Sequence, residues 1–297
     1  MQNDVFKVTV PAKVNLRLTI TLQNREVFNP IKCKDFMGTP MQGPRDITPQ
    51  SSGGLHTLDM IVCPYYALCD EVEFMPLEGE EISVDIKGAY SGFEPNRFMN
   101  FYLPKVERIA SKLGVFGKLT VRKGIPLGAG LGGSTASVVG ALKSMLLYLE
   151  SIGQSTALDN DFLLSLGSDV PCMYKGGLCR VRGVGDVVDA LDIKIDLDIA
   201  VRIAEGGSDT AACYALYDRL GLADKLQAIE DARDYGNMSA DELLGLIAQC
   251  RNDLTVPAVT LNPKIGELID EMKKEYDYVV MSGSGSSVIG FILPTKG

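Results

Sequence analysis

The chain has no tryptophan and a single histidine among its 297 residues. A hydrolytic triad or a multi-histidine metal centre would have to run through His56 alone. Cysteine occurs at seven positions (33, 63, 69, 172, 179, 213 and 250), with no Cys-x-x-Cys pair among them. The odd count and the scatter speak against a disulfide framework or a zinc site and suit reduced cytoplasmic thiols. Basic residues are in the minority, 29 Lys and Arg against 38 Asp and Glu, for a net charge of −9. That sign excludes the basic surface of a nucleic-acid-binding protein. No apolar run reaches the length of a membrane span. The start, Met1-Gln-Asn-Asp-Val-Phe-Lys7, lacks the apolar core of a signal peptide. The reading is a cytoplasmic protein with neither membrane nor nucleic acid as partner.

Glycine, by contrast, is abundant, and its densest cluster is informative. Gly124-Ile-Pro-Leu-Gly-Ala-Gly-Leu-Gly-Gly-Ser-Thr-Ala-Ser137 follows a strand-like run, 118–122. It leads into an apolar segment, 138–149, with the character of a helix. Strand, glycine loop and helix together place backbone N–H groups and the positive end of a helix dipole around a phosphate. Glycines 128, 130, 132 and 133 admit positive φ and close approach of a bulky anion. The hydroxyls of Ser134, Thr135 and Ser137 offer bonds to phosphate oxygens or to Mg²⁺. A flexible surface loop is the plainer alternative. The loop is not a Walker motif, since no lysine precedes Ser134-Thr135. It contains the Gly-x-Gly-x-x-Gly spacing at 128, 130 and 133, but Pro126 and the following serines are foreign to a dinucleotide fold. In an acidic chain, attraction of a phosphate must come from a local cluster. The cations nearest the motifs are Lys13, Arg17, Arg122, Lys123, Lys175, Arg180 and Arg182.

Periodicity gives an α+β outline rather than strict βαβ alternation. Residues 6–10 and 14–21 alternate as two strands separated by Pro11. Strands are also expected over 57–66, 70–74, 81–86, 197–204, 278–281 and 287–293. Leu178 to Val188 suits a hairpin turning at Gly183 and Gly185. Helical spacing marks 101–113, 161–166, 210–220, 224–232, 239–250 and 263–276. Ser239 with Glu242 is a capping box. The proline-rich stretch 23–52 has no period and reads as a long loop, a possible lid over a substrate. With 46% hydrophobic residues, the chain is long enough for two domains.

Three further features carry chemistry. In Pro11-Ala-Lys-Val-Asn-Leu16, Lys13 and Asn15 share one face of a strand. Lys13 is either a solvated strand lysine or a cation for a transferring phosphoryl group. In Leu166-Gly-Ser-Asp-Val-Pro171, Asp169 follows a helix stop, and Val-Pro points to an extended path. Asp169 is either a turn former or a carboxylate that takes a proton from an attacking alcohol. Met281-Ser-Gly-Ser-Gly-Ser-Ser287 is a second glycine loop between strands, or a plain hairpin.

Taken in order, Pro-Ala-Lys-Val-Asn, Pro-Leu-Gly-Ala-Gly-Leu-Gly-Gly-Ser and Ser-Gly-Ser-Gly resemble the three motifs of the GHMP small-molecule kinases. Within that family the chain is most similar to members acting on 4-diphosphocytidyl-2-C-methyl-D-erythritol. Gly53-Gly-Leu-His-Thr-Leu58, Leu166-Gly-Ser-Asp-Val-Pro171, Arg182-Gly-Val-Gly185 with Asp186, and Arg251-Asn-Asp-Leu254 carry that closer match. The resemblance implies a two-domain α+β fold, 1–190 and 191–297, with ATP and substrate in the cleft between domains. It implies that Pro126, Gly128, Gly130, Leu131, Gly132, Gly133, Ser134, Thr135 and Ser137 hold ATP with Mg²⁺. Lys13 and Asp169 would be catalytic; Asn15, His56 and Tyr214 would bind substrate, His56 at the cytosine. No protein metal site is implied. The state would be a monomer or homodimer. The chain departs from the pattern at Leu55, where the family has tyrosine, in the Gly-Gly-Ser-Thr-Ala-Ser loop, and in the long stretch before His56. Other GHMP kinases, for homoserine, mevalonate or a sugar, stand as alternatives. So does an inactive nucleotide-binding relative. A dinucleotide oxidoreductase is weaker, with Glu150 as the sole nearby ribose acid.

Overall fold

The computed structural model describes residues 4–21, 56–88, 94–195, 197–222 and 238–293. Leu55, the expected loop at 23–52 and the expected helix at 224–232 lie outside them. Two long strands form the spine. β1 (Phe6–Thr21) and β2 (Thr57–Pro76) pair antiparallel over nearly their full lengths. The sequence suggested a break at Pro11, yet β1 runs through it. A bulge sets Pro11 opposite Cys69 and the next residue, Ala12, opposite Tyr65. Proline is tolerated there because a bulge leaves its missing N–H without consequence. The same bulge joins into one strand the two expected over 57–66 and 70–74.

The second edge of β2 is shared. β5 (Cys179–Gly183) pairs with 58–62, and β4 (Gly117–Arg122) with 71–76. β3 (Ile82–Lys87) adds in parallel to β4, and β6 (Val187–Ala190) closes the expected hairpin with β5. A separate sheet has the order β7-β9-β8, from β7 (Asp198–Ile203), β8 (Tyr278–Met281) and β9 (Ser287–Ile292).

Helix α1 (Pro95–Leu113) and helix α2 (Gly133–Ser151) pack together, and α2 lies on β1 and β2. α2 is apolar almost all round, as a helix enclosed by other elements must be. Val138, Val139, Leu142 and Met145 from α2 meet Val10, Val72, Phe74, Leu119 and Val121 in one core. α3 (Asn160–Leu166) is capped by Asp159, whose carboxylate accepts from Phe162 N at 2.6 Å. α4 (Val170–Lys175) corrects the extended path expected after Asp169. Pro171 sits in its first turn, where a missing N–H costs nothing. α8 (Pro263–Met272) packs on β8 and β9, α7 (Thr255–Leu261) on α8 and on α5 (Thr210–Arg219), and α6 (Ala240–Ile247) against β1. α6 begins with the capping box read from the sequence. Ser239 Oγ accepts from Glu242 N at 3.3 Å, and Glu242 Oε2 accepts from Ser239 N at 2.9 Å.

Gly140 is where α2 and β2 come closest. A Cβ there would stand 2.4 Å from Val72 Cγ2 and 2.9 Å from Val72 Cβ. Valine is stiff at χ1, so it cannot swing away. Gly140→Ala gains about 1 kcal/mol of helix propensity. Overpacking of a tight core costs ~1–3 kcal/mol. The net expectation is a lower urea midpoint with unchanged m-value. A midpoint above wild type would show that the contact relaxes freely.

Candidate active site

One edge of β1 belongs to β2. The amides on its other edge are claimed by three distant segments. Lys13 N donates to Leu131 O at 3.0 Å, and Asn15 N to Ser282 Oγ at 3.0 Å. Leu18 N donates to Arg251 O at 2.9 Å, and Ile20 N to Asp253 Oδ2 at 2.9 Å. A second bulge, between Asn15 and Arg17, moves the outward amides from odd to even positions. The first glycine loop, the second glycine loop and the Asn252 segment therefore lie side by side along β1. Ser282 Oγ also donates to Gly130 O at 3.0 Å. Asn252 Nδ2 donates to Met281 O at 2.6 Å and to Gly283 O at 2.8 Å, pinning the second loop.

The glycines serve the protein's own packing more than the sequence suggested. A Cβ on Gly130, at φ +76°, would lie 2.2 Å from Ser282 O. One on Gly132, at φ +70°, would lie 2.9 Å from Lys13 Cγ and 2.8 Å from Met173 Sδ. Gly133 is filled against Pro126 O. Gly128 is the loop glycine left with open space, Ser208 O being 3.8 Å from its Cβ direction. The Leu131 side chain is in the core, and its carbonyl is taken by Lys13 N. Pro126, Ser134 and Thr135 are half-buried, and Gly128 is exposed.

The Lys13 stem crosses Gly132, the residue before α2. Lys13 Nζ donates to Asn15 Oδ1 at 2.8 Å and lies 3.5 Å from Asp169 Oδ2. Both Lys13 and Asn15 are buried, and Asn15 Nδ2 contacts Met60 Sδ at 3.2 Å. Asp169 occupies the N-cap position of α4 but makes no side-chain cap bond. Its carboxylate is thus free to face Lys13, and its side chain keeps 29% exposure. Gly185, in the β5–β6 turn, comes so close that a Cβ would stand 2.2 Å from Ser168 O, which supports the residue before Asp169. Next to it, burial and then the Asp169 charge push the Cys172 thiol up to about 12, with Lys13 opposing.

His56, just before β2, and Tyr214, on α5, meet ring to ring. Their rings are 5.0 Å apart and tilted by 33°, and His56 Nε2 lies 2.6 Å from Asp218 Oδ1. Burial, and after it the charge of Asp169, raise the Tyr214 phenol above its usual range. Lys13, Asn15, Asp169 and Tyr214 therefore belong to one neighbourhood, with His56 beyond Tyr214.

Two sequence expectations need correction. Ser137 does not face the loop opening: it is fully buried, and its hydroxyl donates to Asp70 Oδ2 at 2.7 Å. Lys123 is not a free cation, because it ion-pairs with Asp70 beneath the loop. Other cations near the motifs are also committed: Arg122 to Glu73, Arg180 to Asp59, Arg182 to Asp189, and Lys175 to Val188 O. Sequence reasoning missed Asp70 altogether. Its signal was an acid inside a strand, followed by the alternation Val72, Phe74. Among the described residues, no group of three or more His, Cys, Asp or Glu is placed to hold a metal, and no helix is long and apolar enough to cross a membrane.

A glycine loop at a helix start, a facing lysine and aspartate, and a second glycine loop locked to the first define a phosphotransferase of a particular class. Residues 100–177 match the GHMP kinases N terminal domain, and residues 238–296 match the GHMP kinases C terminal domain. The chain belongs to the GHMP kinases, ATP-dependent enzymes that phosphorylate small molecules. It is 30% identical over 248 residues to the 4-diphosphocytidyl-2-C-methyl-D-erythritol kinase of Cereibacter sphaeroides, spanning 82% of this chain and 84% of that protein. It is 29% identical over 290 residues to the enzyme of the same name from Paramagnetospirillum magneticum, spanning 96% and 88%. A crystal structure of 4-(cytidine 5'-diphospho)-2C-methyl-D-erythritol kinase shares the fold, with a TM-score of 0.61 at 21% identity over 97% of this chain and 90% of that one.

Because Gly130 is packed against Ser282 O, Gly130→Ala should separate the two loops. Calorimetric titration with ATP should show affinity at least ~10-fold weaker, about 1.4 kcal/mol. Gly153→Ala, beyond the far end of α2 at φ +75° with open space around its Cβ direction, is the control. It carries only the left-handed strain of about 1–2 kcal/mol, with no clash. Equal losses in both variants would mean that strain, not loop separation, governs the site.

Proposed function

We propose that this kinase transfers the γ-phosphoryl group of ATP to the 2-hydroxyl of 4-diphosphocytidyl-2-C-methyl-D-erythritol, in non-mevalonate isoprenoid precursor synthesis. The observation that carries the chemistry is the uncapped Asp169 carboxylate, at the start of α4, 3.5 Å from the buried Lys13. The acceptor is favoured by the names of the relatives at 29–30% identity. The pairing of His56 with Tyr214 supports it, offering one ring with hydrogen-bonding nitrogens and one flat apolar face for a base.

In this reading Asp169 accepts the hydroxyl proton as the alcohol oxygen attacks phosphorus. The bond to the bridging oxygen breaks, and ADP leaves. Lys13 counters the charge on the transferring group and, held by Asn15, stays aimed at it. The α2 N-terminus, the Gly128 backbone and the hydroxyls of Ser134 and Thr135 receive the phosphates. Neither hydroxyl has a hydrogen-bond partner among the described residues, so both are available. Mg²⁺, when bound, neutralises triphosphate charge. An ion that keeps several waters and takes phosphate oxygens needs only one or two protein ligands, and the Ser134 and Thr135 hydroxyls would fit that demand.

We assign 1–190 and 191–297 as the two domains, following the change of sheet between β6 and β7. We place the enzyme in the cytoplasm as a monomer or homodimer, independent of membrane and nucleic acid. Its six described cysteines, all free thiols, suit that compartment.

A coupled ADP-release assay with this substrate tests the assignment, with homoserine, mevalonate and a sugar alcohol for comparison. Turnover on one of these in its place would move the acceptor elsewhere in the family. Asp169→Asn should lower kcat ~10²–10⁴-fold while leaving ATP affinity nearly unchanged. Lys13→Ala should also lower kcat, and the double variant should lose less than the product of the two. Near-normal turnover in Asp169→Asn would remove the general base from the mechanism.

A further inference from the structure

Asp70, Lys123 and Ser137 form a closed polar cluster beneath the first glycine loop. None of them is used in the phosphoryl transfer described above. Asp70 and Ser137 have no exposed surface and Lys123 has 7%. Asp70 Oδ1 accepts the N–H groups of Gly124 and Ile125, each at 3.0 Å. Asp70 Oδ2 accepts the Ser137 hydroxyl at 2.7 Å and the Lys123 ammonium. Lys123 Nζ also donates to Gly133 O and, at 3.0 Å, to Ser137 Oγ. The three N–H groups of the lysine and both oxygens of the aspartate are thereby satisfied.

The placement of these bonds is what matters. Gly124 and Ile125 lead into the loop, Gly133 is the first residue of α2, and Ser137 is one turn further on. A single β2 side chain, Asp70, together with Lys123 at the end of β4, therefore grips both ends of the loop. A buried ion pair is weak evidence for stability, because desolvation offsets most of the attraction, and well-packed apolar residues often serve as well. Apolar residues cannot hold two amides and a carbonyl at fixed positions. Burial lowers the Lys123 pKa and the Asp70 charge works against that, so the pair stays mutually dependent.

We propose that Asp70, Lys123 and Ser137 are positioning residues: an ionic clamp that holds both ends of the glycine loop in phosphate-binding geometry and sets the affinity for ATP without touching it. This rests on the reading of the loop as the ATP phosphate site. The clamp acts on one substrate only, which separates it from a general structural role.

Two variants test it. Ser137→Ala removes the hydroxyl between the two charges. Asp70→Leu with Lys123→Met replaces the pair by apolar side chains and avoids a lone buried charge. Each is compared with wild type for folding by near-UV circular dichroism, for ATP affinity by calorimetry, and for steady-state KM and kcat. The expected result is a Kd and KM for ATP raised about tenfold or more in the double variant and several-fold in Ser137→Ala. The KM for the alcohol should not move, and kcat should fall by less than KM(ATP) rises. ATP affinity equal to wild type in folded Ser137→Ala and in the folded double variant overturns the clamp. Equal rises in both KM values overturn it too, since they would mark a general loss of structure. If the double variant does not fold, Ser137→Ala alone decides. A wild-type chain that binds no ATP overturns the reading of the loop and the clamp together, whereas ATP binding in wild type with unaltered variants overturns the clamp alone.

Discussion

A β-strand carries backbone donors along both edges, and those on the outer edge of β1 have no sister strand to meet them. Buried donors must be paired, since leaving one unmade costs more than making it contributes. β1 solves this with four partners from three parts of the chain: Leu131, Ser282 and the Arg251 and Asp253 groups. The site is a by-product of that solution. Lys13 and Asn15 project from the residues whose amides hold the two glycine loops, so their side chains arrive where the loops meet. Had the second bulge been absent, the outward amides would have stayed on odd positions, and the 251–253 segment would have met the wrong ones.

The same constraint explains why the glycines cluster. The loops approach within a distance that leaves no room for a Cβ at Gly130, and Lys13 passes over Gly132. The smallness of these residues is spent on contacts within the protein. In the proposed function, phosphate recognition falls to what is left uncovered: the start of α2, the Gly128 backbone and two hydroxyls. Such a site is assembled before the nucleotide arrives, which limits the ordering that binding must supply. Cations contribute little to it directly. Lys123 is sunk into its pair with Asp70, and Lys13 faces Asp169. In that reading the overall acidity of the chain is no obstacle, because backbone dipoles at short range supply the attraction.

Much of this was legible in the sequence, and the failures are of one kind. Local signals gave the strands, the α6 capping box, the β5–β6 hairpin and the glycine loop flanked by strand and helix. The alternation in β1 put Lys13 and Asn15 on one face, and they bond to each other. Pairwise context was out of reach. Pro11 looked like a break because a bulge depends on the partner strand. Val170-Pro171 looked extended because its helix is set by packing. Ser137 looked available because the acid that takes its hydroxyl lies 67 positions earlier in the chain. Asp70 itself, between Cys69 and Glu71, reads like any strand acid until β4 and α2 enclose it.

The bond from Asn15 N to Ser282 Oγ joins residues 267 positions apart. During synthesis β1 precedes all the residues that cover its outer edge: Leu131 first, then Arg251 and Asp253, and Ser282 last of the four. For most of the time on the ribosome the larger sheet therefore has a long strand with an open edge, the geometry that invites pairing with another chain. Contacts of such separation also slow folding, because the chain must close a large loop before they form. The arrangement that brings three loops together in the finished enzyme thus leaves the nascent chain dependent on segments made long after β1. Loss of β8, β9 and the loop between them would leave Asn15 N on the outer edge of β1 without its Ser282 partner, not merely remove two strands of the smaller sheet.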